Sequence, residues 1–193
     1  MTPMREFPSV SPDDIKGLFQ AGFSADEIRA ILKAGFTYAH IQTIINRIRI
    51  AKKDPHGTDK LGLTDAQIRD LVNRVAAAVN SSDDQRRLEG LVARVLISRL
   101  FAFNREITDL ATCEVIREID VETSNAIIEV TTTDQRKLRQ VLDEKNNKLI
   151  NPKGKQVILY APDYSHAADQ QFAKHGIPIM RSLKDLFDYQ RSL

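Results

Sequence analysis

Two short alternating segments on either side of a turn, within residues 117–132, constrain this chain more than any other feature. Successive side chains of a β-strand point to opposite faces, so Ile119 and Val121 are expected to share one face of the first segment. Thr123-Ser124-Asn125 supplies turn residues, and Ile127-Ile128-Glu129-Val130-Thr131 forms the second segment. The pattern predicts a β-hairpin that carries acidic side chains opposite apolar ones.

Two carboxylates of this hairpin, Asp120 and Glu129, can converge near the end of a sheet. Burying an unpaired charge costs on the order of several kcal/mol, and two adjacent carboxylates repel each other unless a cation lies between them. Oxygen-rich sites of this kind suit Mg²⁺ or Mn²⁺. Spacing alone leaves two interpretations open, namely a metal site and an ordinary half-exposed hairpin whose acids face water.

Asp120 followed by Ile127-Ile128-Glu129-Val130-Thr131 resembles the core of the restriction-endonuclease-like PD-(D/E)xK nucleases. That family has an acid on one strand and Glu-x-Lys on the next, usually after apolar residues. The resemblance covers roughly residues 85–190, where the chain is predicted to run helix, hairpin, helix, strand, helix, strand, helix. It implies an α/β fold with a restriction-endonuclease-like mixed central sheet flanked by helices.

The resemblance also implies roles for individual residues. Asp120 and Glu129 match the two acids of the motif, Glu89 matches an acid often found on the preceding helix, and Gln140 matches a glutamine on the following helix in some branches. The resemblance implies that Asp120 and Glu129 bind Mg²⁺ or Mn²⁺ together with a backbone carbonyl near Val130, and that Glu89 adds a direct or water-mediated contact. A second interpretation of Glu89, from the residues alone, is an ion pair with a neighbouring arginine, either Arg86 or Arg94.

Thr131 departs from the family, because it stands where the motif has lysine. In the family that lysine orients the attacking water and stabilises charge at the phosphoryl group, whereas a threonine offers only hydrogen bonds. We predict that Lys137 supplies the cation from the following helix while Gln140 positions substrate, with Lys145 or Arg136 as alternatives. Thr131 can also be interpreted as the mark of an inactive copy retained for binding.

Basic residues near the hairpin are candidates for contacts with a phosphate backbone. The formal net charge is only +2, so local clusters must provide any nucleic-acid contacts. As individuals these residues can equally be solvated surface charges. The candidates are Arg117, Arg136, Arg139, Lys153 and Lys155.

Residues 118–130 and 155–162 resemble the C-terminal nuclease toxins of contact-dependent inhibition and related polymorphic toxin systems. This resemblance implies a metal-dependent nuclease that cleaves tRNA, or DNA, in the cytoplasm of a target bacterium. It further implies delivery as part of a larger secreted or surface-exposed protein and neutralisation by a cognate immunity protein. Two alternatives remain: a catalytically degenerate nuclease fold that binds nucleic acid or docks on a protein, and a restriction- or repair-type DNA nuclease.

An internal repeat within residues 11–50 predicts three short helices that begin after Ser11, Ser24 and Thr37. We predict that residues 1–58 form a small all-helical domain and that residues 59–193 form the nuclease domain. The helical domain could serve delivery, bind nucleic acid, dock on a protein or simply cap the nuclease.

Composition excludes several classes of protein. Cys113 is the single cysteine, so the chain has no internal disulfide, and the four histidines are too scattered to favour a zinc site. No apolar segment approaches the ~20 residues of a transmembrane helix, so no membrane span is predicted. Elsewhere, Ser82 is expected to begin the helix that carries Glu89, and residues 101–113 are expected to form an irregular connection.

Overall fold

The computed structural model describes residues 10–132 and 137–193. Within these residues the chain forms eight α-helices and one five-stranded mixed sheet. The helices are α1 Pro12–Ala21, α2 Ala25–Lys33, α3 Tyr38–Lys53, α4 Asp65–Val79, α5 Asp84–Val95, α6 Leu138–Asn146, α7 Asp169–Ala173 and α8 Leu183–Ser192. The strands are β1 Leu100–Thr108, β2 Val115–Thr123, β3 Ala126–Val130, β4 Gln156–Tyr160 and β5 Ile179–Met180.

The helix starts follow the capping residues. Ser11, Ser24 and Thr37 each form a capping box with the third helical residue, as the repeat predicts. The prediction for α5 is wrong by one residue, because Asp83 rather than Ser82 is the N-cap and accepts the Arg86 N–H at 2.7 Å. A carboxylate at this position also interacts favourably with the positive end of the helix dipole.

The strands are ordered β1-β2-β3-β4-β5, with antiparallel pairing from β1 to β3 and parallel pairing from β3 to β5. Residues 101–113 were expected to be irregular, but most of them form the edge strand β1. The left-handed backbone of Asn104, with φ 47°, and two register shifts against β2 interrupt the alternation of inward and outward side chains along β1. The sequence therefore lacks the regular apolar–polar pattern of a strand. The predicted α/β architecture, a mixed central sheet flanked by helices, is confirmed at this level.

Helices cover both faces of the sheet. One face packs against α4, α5 and α8, and the apolar side chains of α1–α3 belong to the same core. The other face packs against α6 and α7. An ion pair between buried Arg47 and Asp59, at 2.7 Å, links α3 to the loop before α4. The domain boundary near residue 58 stays a prediction, although the helices before it share a core with those after it.

Strands β2 and β3 are joined by two residue pairs, Val121–Ile128 and Glu122–Ile127. Beyond them the strands diverge, and Ile119 packs in the second core while Val121 packs in the first. The expectation that these two side chains share a face is therefore wrong, because the regular β2–β3 pairing that would keep the alternation does not extend to Ile119. This divergence brings Asp120 to the end of β3.

No helix within the described residues is both long and apolar enough to cross a lipid bilayer.

Candidate active site

Asp120 bridges the diverging ends of β2 and β3. Its Oδ2 accepts a hydrogen bond from the backbone N–H of Val130 at 2.8 Å. The next backbone N–H, that of Thr131, donates to Tyr160 O on β4 at 3.0 Å. Successive N–H groups of a strand point to opposite sides, so the Val130 N–H points toward β2. The Asp120 side chain there accepts the hydrogen bond that a β2 backbone carbonyl would accept in a regular sheet. Burial raises the pKa of Asp120 to about 8; the Glu129 and Glu89 carboxylates add to this, and the Val130 hydrogen bond opposes it.

Glu129 lies at the centre of the site and is only 2% exposed, so the interpretation in which the hairpin acids face water is wrong for this residue. Its Oε1 accepts hydrogen bonds from Lys137 Nζ at 2.9 Å and from Gln140 Nε2. Its Oε2 is buried and has no hydrogen-bond partner among the described residues. A buried carboxylate oxygen without a partner is costly, and such atoms are concentrated at functional sites.

Glu89 lies on α5 and is 8% exposed. Its carboxylate accepts hydrogen bonds from Gln85 Nε2 at 2.7 Å and from Asn104 Nδ2 at 3.3 Å. Burial raises the pKa of Glu89, and the two amides oppose that shift. Arg94, one expected ion-pair partner, instead donates to backbone carbonyls at the end of α2.

Gln85 is a site residue that the sequence did not reveal. Its Nε2 also donates to Val130 O at 2.8 Å, while its Oε1 accepts from the Thr132 N–H at 3.0 Å and the Thr132 hydroxyl at 3.2 Å. Gln85 therefore joins α5 to the end of β3 and contacts the carbonyl that the resemblance implies as a metal ligand. Its spacing of one helical turn from Glu89 was the available signal.

Lys137 and Gln140 come from the start of α6. Lys137 Nζ donates to Gln140 Oε1 at 3.1 Å as well as to Glu129, which fixes the orientation of the Gln140 amide. Thr131 is buried and directly follows β3. The structure thus brings Asp120, Glu129, Lys137 and Gln140 together. Lys145, an alternative source of the cation, instead donates to His175 O, and Arg136 lies outside the described residues.

Glu144 is a second residue that the sequence reasoning missed. It is fully buried on α6, and its Oε1 accepts a hydrogen bond from Gln140 Nε2 at 3.4 Å. Burial raises the pKa of Glu144 to about 9; the Glu129 charge adds to this, and Arg117 opposes it. The available signal was its spacing one turn after Gln140 on the buried side of the helix.

The predicted phosphate-contacting residues fall into two groups. Arg117 lies near the site, where its Nη2 is 2.8 Å from Asp143 Oδ2, and Arg139 is exposed on α6. Lys153 and Lys155 lie at the opposite end of β3, because Gln156 pairs with Ala126, the first residue of that strand. Lys155 is held there by Glu122 at 2.7 Å and by Thr123 O at 2.6 Å, and Arg136 lies outside the described residues.

The donor atoms fit a hard divalent cation in their chemistry. Asp120, Glu129 and Glu89 offer carboxylate oxygens whose charges interact, and Glu129 Oε2 is buried without a described partner. Their side chains are turned toward protein donors, however. Across residues 10–132 and 137–193, no three histidine, cysteine, aspartate or glutamate side chains converge in a geometry that could hold a metal ion.

No protein-family model matches the chain, and no curated protein matches it. One solved structure that resembles it is the crystal structure of protein VC1899 from Vibrio cholerae, at 18% identity and a TM-score of 0.44. The alignment covers 94% of this chain and 56% of that one, so this chain spans little more than half the length of its structural neighbour. A likeness this distant identifies neither a family nor a substrate.

Proposed function

We propose that this protein is a metal-dependent nuclease that hydrolyses phosphodiester bonds on a restriction-endonuclease-like fold. The observation that carries the proposal is the ammonium group of Lys137, 2.9 Å from Glu129 Oε1. An acid on β2, an acid on β3 and a lysine beside the second acid are the three groups that the motif requires. Lys137 compensates for Thr131 because a lysine on α6 reaches the same carboxylate that a lysine two residues after Glu129 would adjoin.

Asp120 and Glu129, assisted by Glu89, would hold Mg²⁺ or Mn²⁺. When bound, such a cation polarises a phosphate oxygen and lowers the pKa of a water that attacks phosphorus. Lys137 orients that water and stabilises negative charge on the phosphoryl group, as preorganised donors do in a buried site. Gln140 holds Lys137 in place by accepting its hydrogen bond at 3.1 Å.

As a biological role, we propose a bacterial toxin domain that cleaves tRNA, or DNA, in the cytoplasm of a target cell. In this role the domain belongs to a larger secreted or surface-exposed protein, and a cognate immunity protein neutralises it. The support is the resemblance of residues 118–130 and 155–162 to such toxins.

A second candidate function is a nuclease-fold module that binds nucleic acid or a protein without cleavage. It is favoured by one observation, that protein donors already contact every one of the proposed metal-binding groups. Lys137 and Gln140 both donate to Glu129 Oε1, and Gln85 donates to Val130 O.

The decisive experiment incubates the purified protein with total tRNA and with plasmid DNA, in Mg²⁺ and in EDTA. Asp120→Asn and Glu129→Gln serve as variants that keep side-chain shape, and Asp188→Asn, an exposed acid on α8, is the matched control. We expect metal-dependent cleavage that both site variants lose and the control retains. Absence of cleavage of either substrate, with nucleic-acid binding intact, would replace the nuclease with the binding module.

A further inference from the structure

A groove of about 660 Å³ lies beside the candidate active site, between β2 and α6. Gln140 lines this groove and also donates to Glu129 in the site. Gln140 therefore links the groove to the acidic centre. Its lining residues are Arg117, Arg139, Gln140, Leu142, Asp143 and Asn146.

Two guanidinium groups make the groove suitable for an anion. Arg139 is exposed on α6. Arg117 is 23% exposed and contacts Asp143, whose side chain is 47% exposed. The Nε of Arg117 is buried and lies 4.0 Å from Glu144 Oε1, so it is Nη2, the nitrogen that pairs with Asp143, that an anion would contact. Because the Asp143 carboxylate is nearly half exposed, water screens its attraction to Arg117, so an anion of higher charge density can exchange with Asp143 at small cost.

We propose that this groove binds the phosphodiester backbone of the substrate next to the bond that is cleaved, with Arg117 and Arg139 contacting phosphate oxygens. Asp143 competes with the phosphate for Arg117 and so lowers the affinity. Arginine suits this role because its planar fork of donors matches the oxygens of a phosphate group. The inference rests on the proposed function in taking nucleic acid as the substrate.

Binding can be tested without cleavage by fluorescence anisotropy in EDTA, using a labelled RNA hairpin and a labelled DNA duplex of matching sequence. Arg139→Gln is expected to weaken binding roughly threefold to tenfold, and to reduce the slope of log affinity against log salt by about one. Asp143→Ala is expected to strengthen binding roughly threefold, because it frees Arg117 for a phosphate. Preference for one probe identifies which nucleic acid the groove binds.

Matched controls remove the same charges on α8, which packs against the opposite face of the sheet. Arg191→Gln and Asp188→Ala should leave the affinity for both probes unchanged. If the control variants shift affinity as much as the groove variants do, the change in net charge explains the data, and the proposal that the groove binds the phosphodiester backbone is overturned. Arg117→Gln is a second test of the groove, and thermal unfolding shows whether that variant remains folded.

The outcomes separate this inference from the proposed function. Unchanged binding in Arg139→Gln and Asp143→Ala, with metal-dependent cleavage intact in the unmodified protein, overturns the groove and leaves the nuclease standing. Altered binding in both variants, with no cleavage by the unmodified protein, supports the groove and overturns the nuclease. Absence of binding to either probe by the unmodified protein overturns the groove.

Discussion

The carboxylate of Asp120 lies 2.8 Å from the backbone nitrogen of Val130 and joins β2 to β3 where their regular pairing has ended. One side chain therefore satisfies a buried strand N–H and also places a carboxyl group in the candidate site. Replacing it with different residues separates these functions.

Asp120→Asn should keep the fold and lose cleavage, because its amide oxygen can still accept the Val130 N–H but carries no charge. Asp120→Ala should be less stable than Asp120→Asn by about 1–2 kcal/mol, since it leaves that N–H without a partner. Urea denaturation of both variants measures the difference. Equal stability of the two would show that the hydrogen bond to Val130 is not formed in solution.

Lys137→Gln should reduce the cleavage rate by about 10²–10³, the usual effect of removing a preorganised donor at a developing charge. Thr131→Val should reduce it by much less, since the proposed mechanism takes its cation from Lys137. Lys148→Gln, at an exposed position after α6, is the charge-matched control. A larger loss for Thr131→Val than for Lys137→Gln in initial-rate assays would assign the main role to the threonine instead.

Mg²⁺ or Mn²⁺ should raise the melting temperature of the unmodified protein, because a ligand that binds the folded state stabilises it by mass action. Removal of the metal with EDTA should reverse the shift. Glu129→Gln should abolish it, while Glu122→Gln, at the other end of the β2–β3 pairing, should not. Differential scanning fluorimetry at several metal concentrations measures the shift, and an equal response of Glu129→Gln would place the metal elsewhere.

Glu144→Gln should flatten the dependence of stability on pH. The pKa of Glu144 is raised from an ordinary value of 4.5 to about 9, so between these values the folded state holds a proton that the unfolded state has released. Stability of the unmodified protein therefore falls as pH rises through this range. At pH 8 the glutamine variant should be more stable by on the order of 1–2 kcal/mol, and near pH 4.5 the two should be equal.

Urea unfolding at pH 4.5, 6.5 and 8 tests this expectation. Glu27→Gln is a suitable control, because the pKa of Glu27 is lowered, chiefly by the hydrogen bond from the Ser24 backbone N–H. This substitution should therefore change the pH dependence of stability in the opposite direction. Parallel pH profiles for Glu144→Gln and the unmodified protein would contradict a raised pKa for Glu144.

Asp59→Asn should destabilise the fold by about 3 kcal/mol, because it leaves the buried charge of Arg47 without its partner. The oxygen of asparagine can still accept the hydrogen bonds that the Leu61 and Leu63 N–H groups donate to Asp59 Oδ1 at 2.9 and 3.0 Å, so the loop keeps its backbone contacts and the loss arises at Arg47. Chemical denaturation should show one transition for the whole chain. Two separate transitions would mean that the N-terminal helices unfold independently.

Local sequence was sufficient to predict the helix starts and several strands, and the short motif was sufficient to identify Asp120 and Glu129 as candidate site residues. Ser11, Ser24 and Thr37 specify helix starts because a cap needs only residues within one turn. The apolar run of residues 157–161 specifies β4, because a strand buried on both faces is continuous in apolar residues. The acids Asp120 and Glu129 were selected by their places in the motif and do lie on adjacent strands.

Tertiary structure decided the remainder, because it depends on contacts between residues far apart in the chain. The edge strand β1 forms through pairing with β2 despite the left-handed Asn104, which no local pattern predicts. Gln85 reaches Val130 across 45 residues, and Glu144 becomes a buried acid because α6 packs on the sheet. The sequence suggests Lys155 as a phosphate contact. Strand pairing instead places Lys155 beside Glu122, at the end of β3 that lies away from the site.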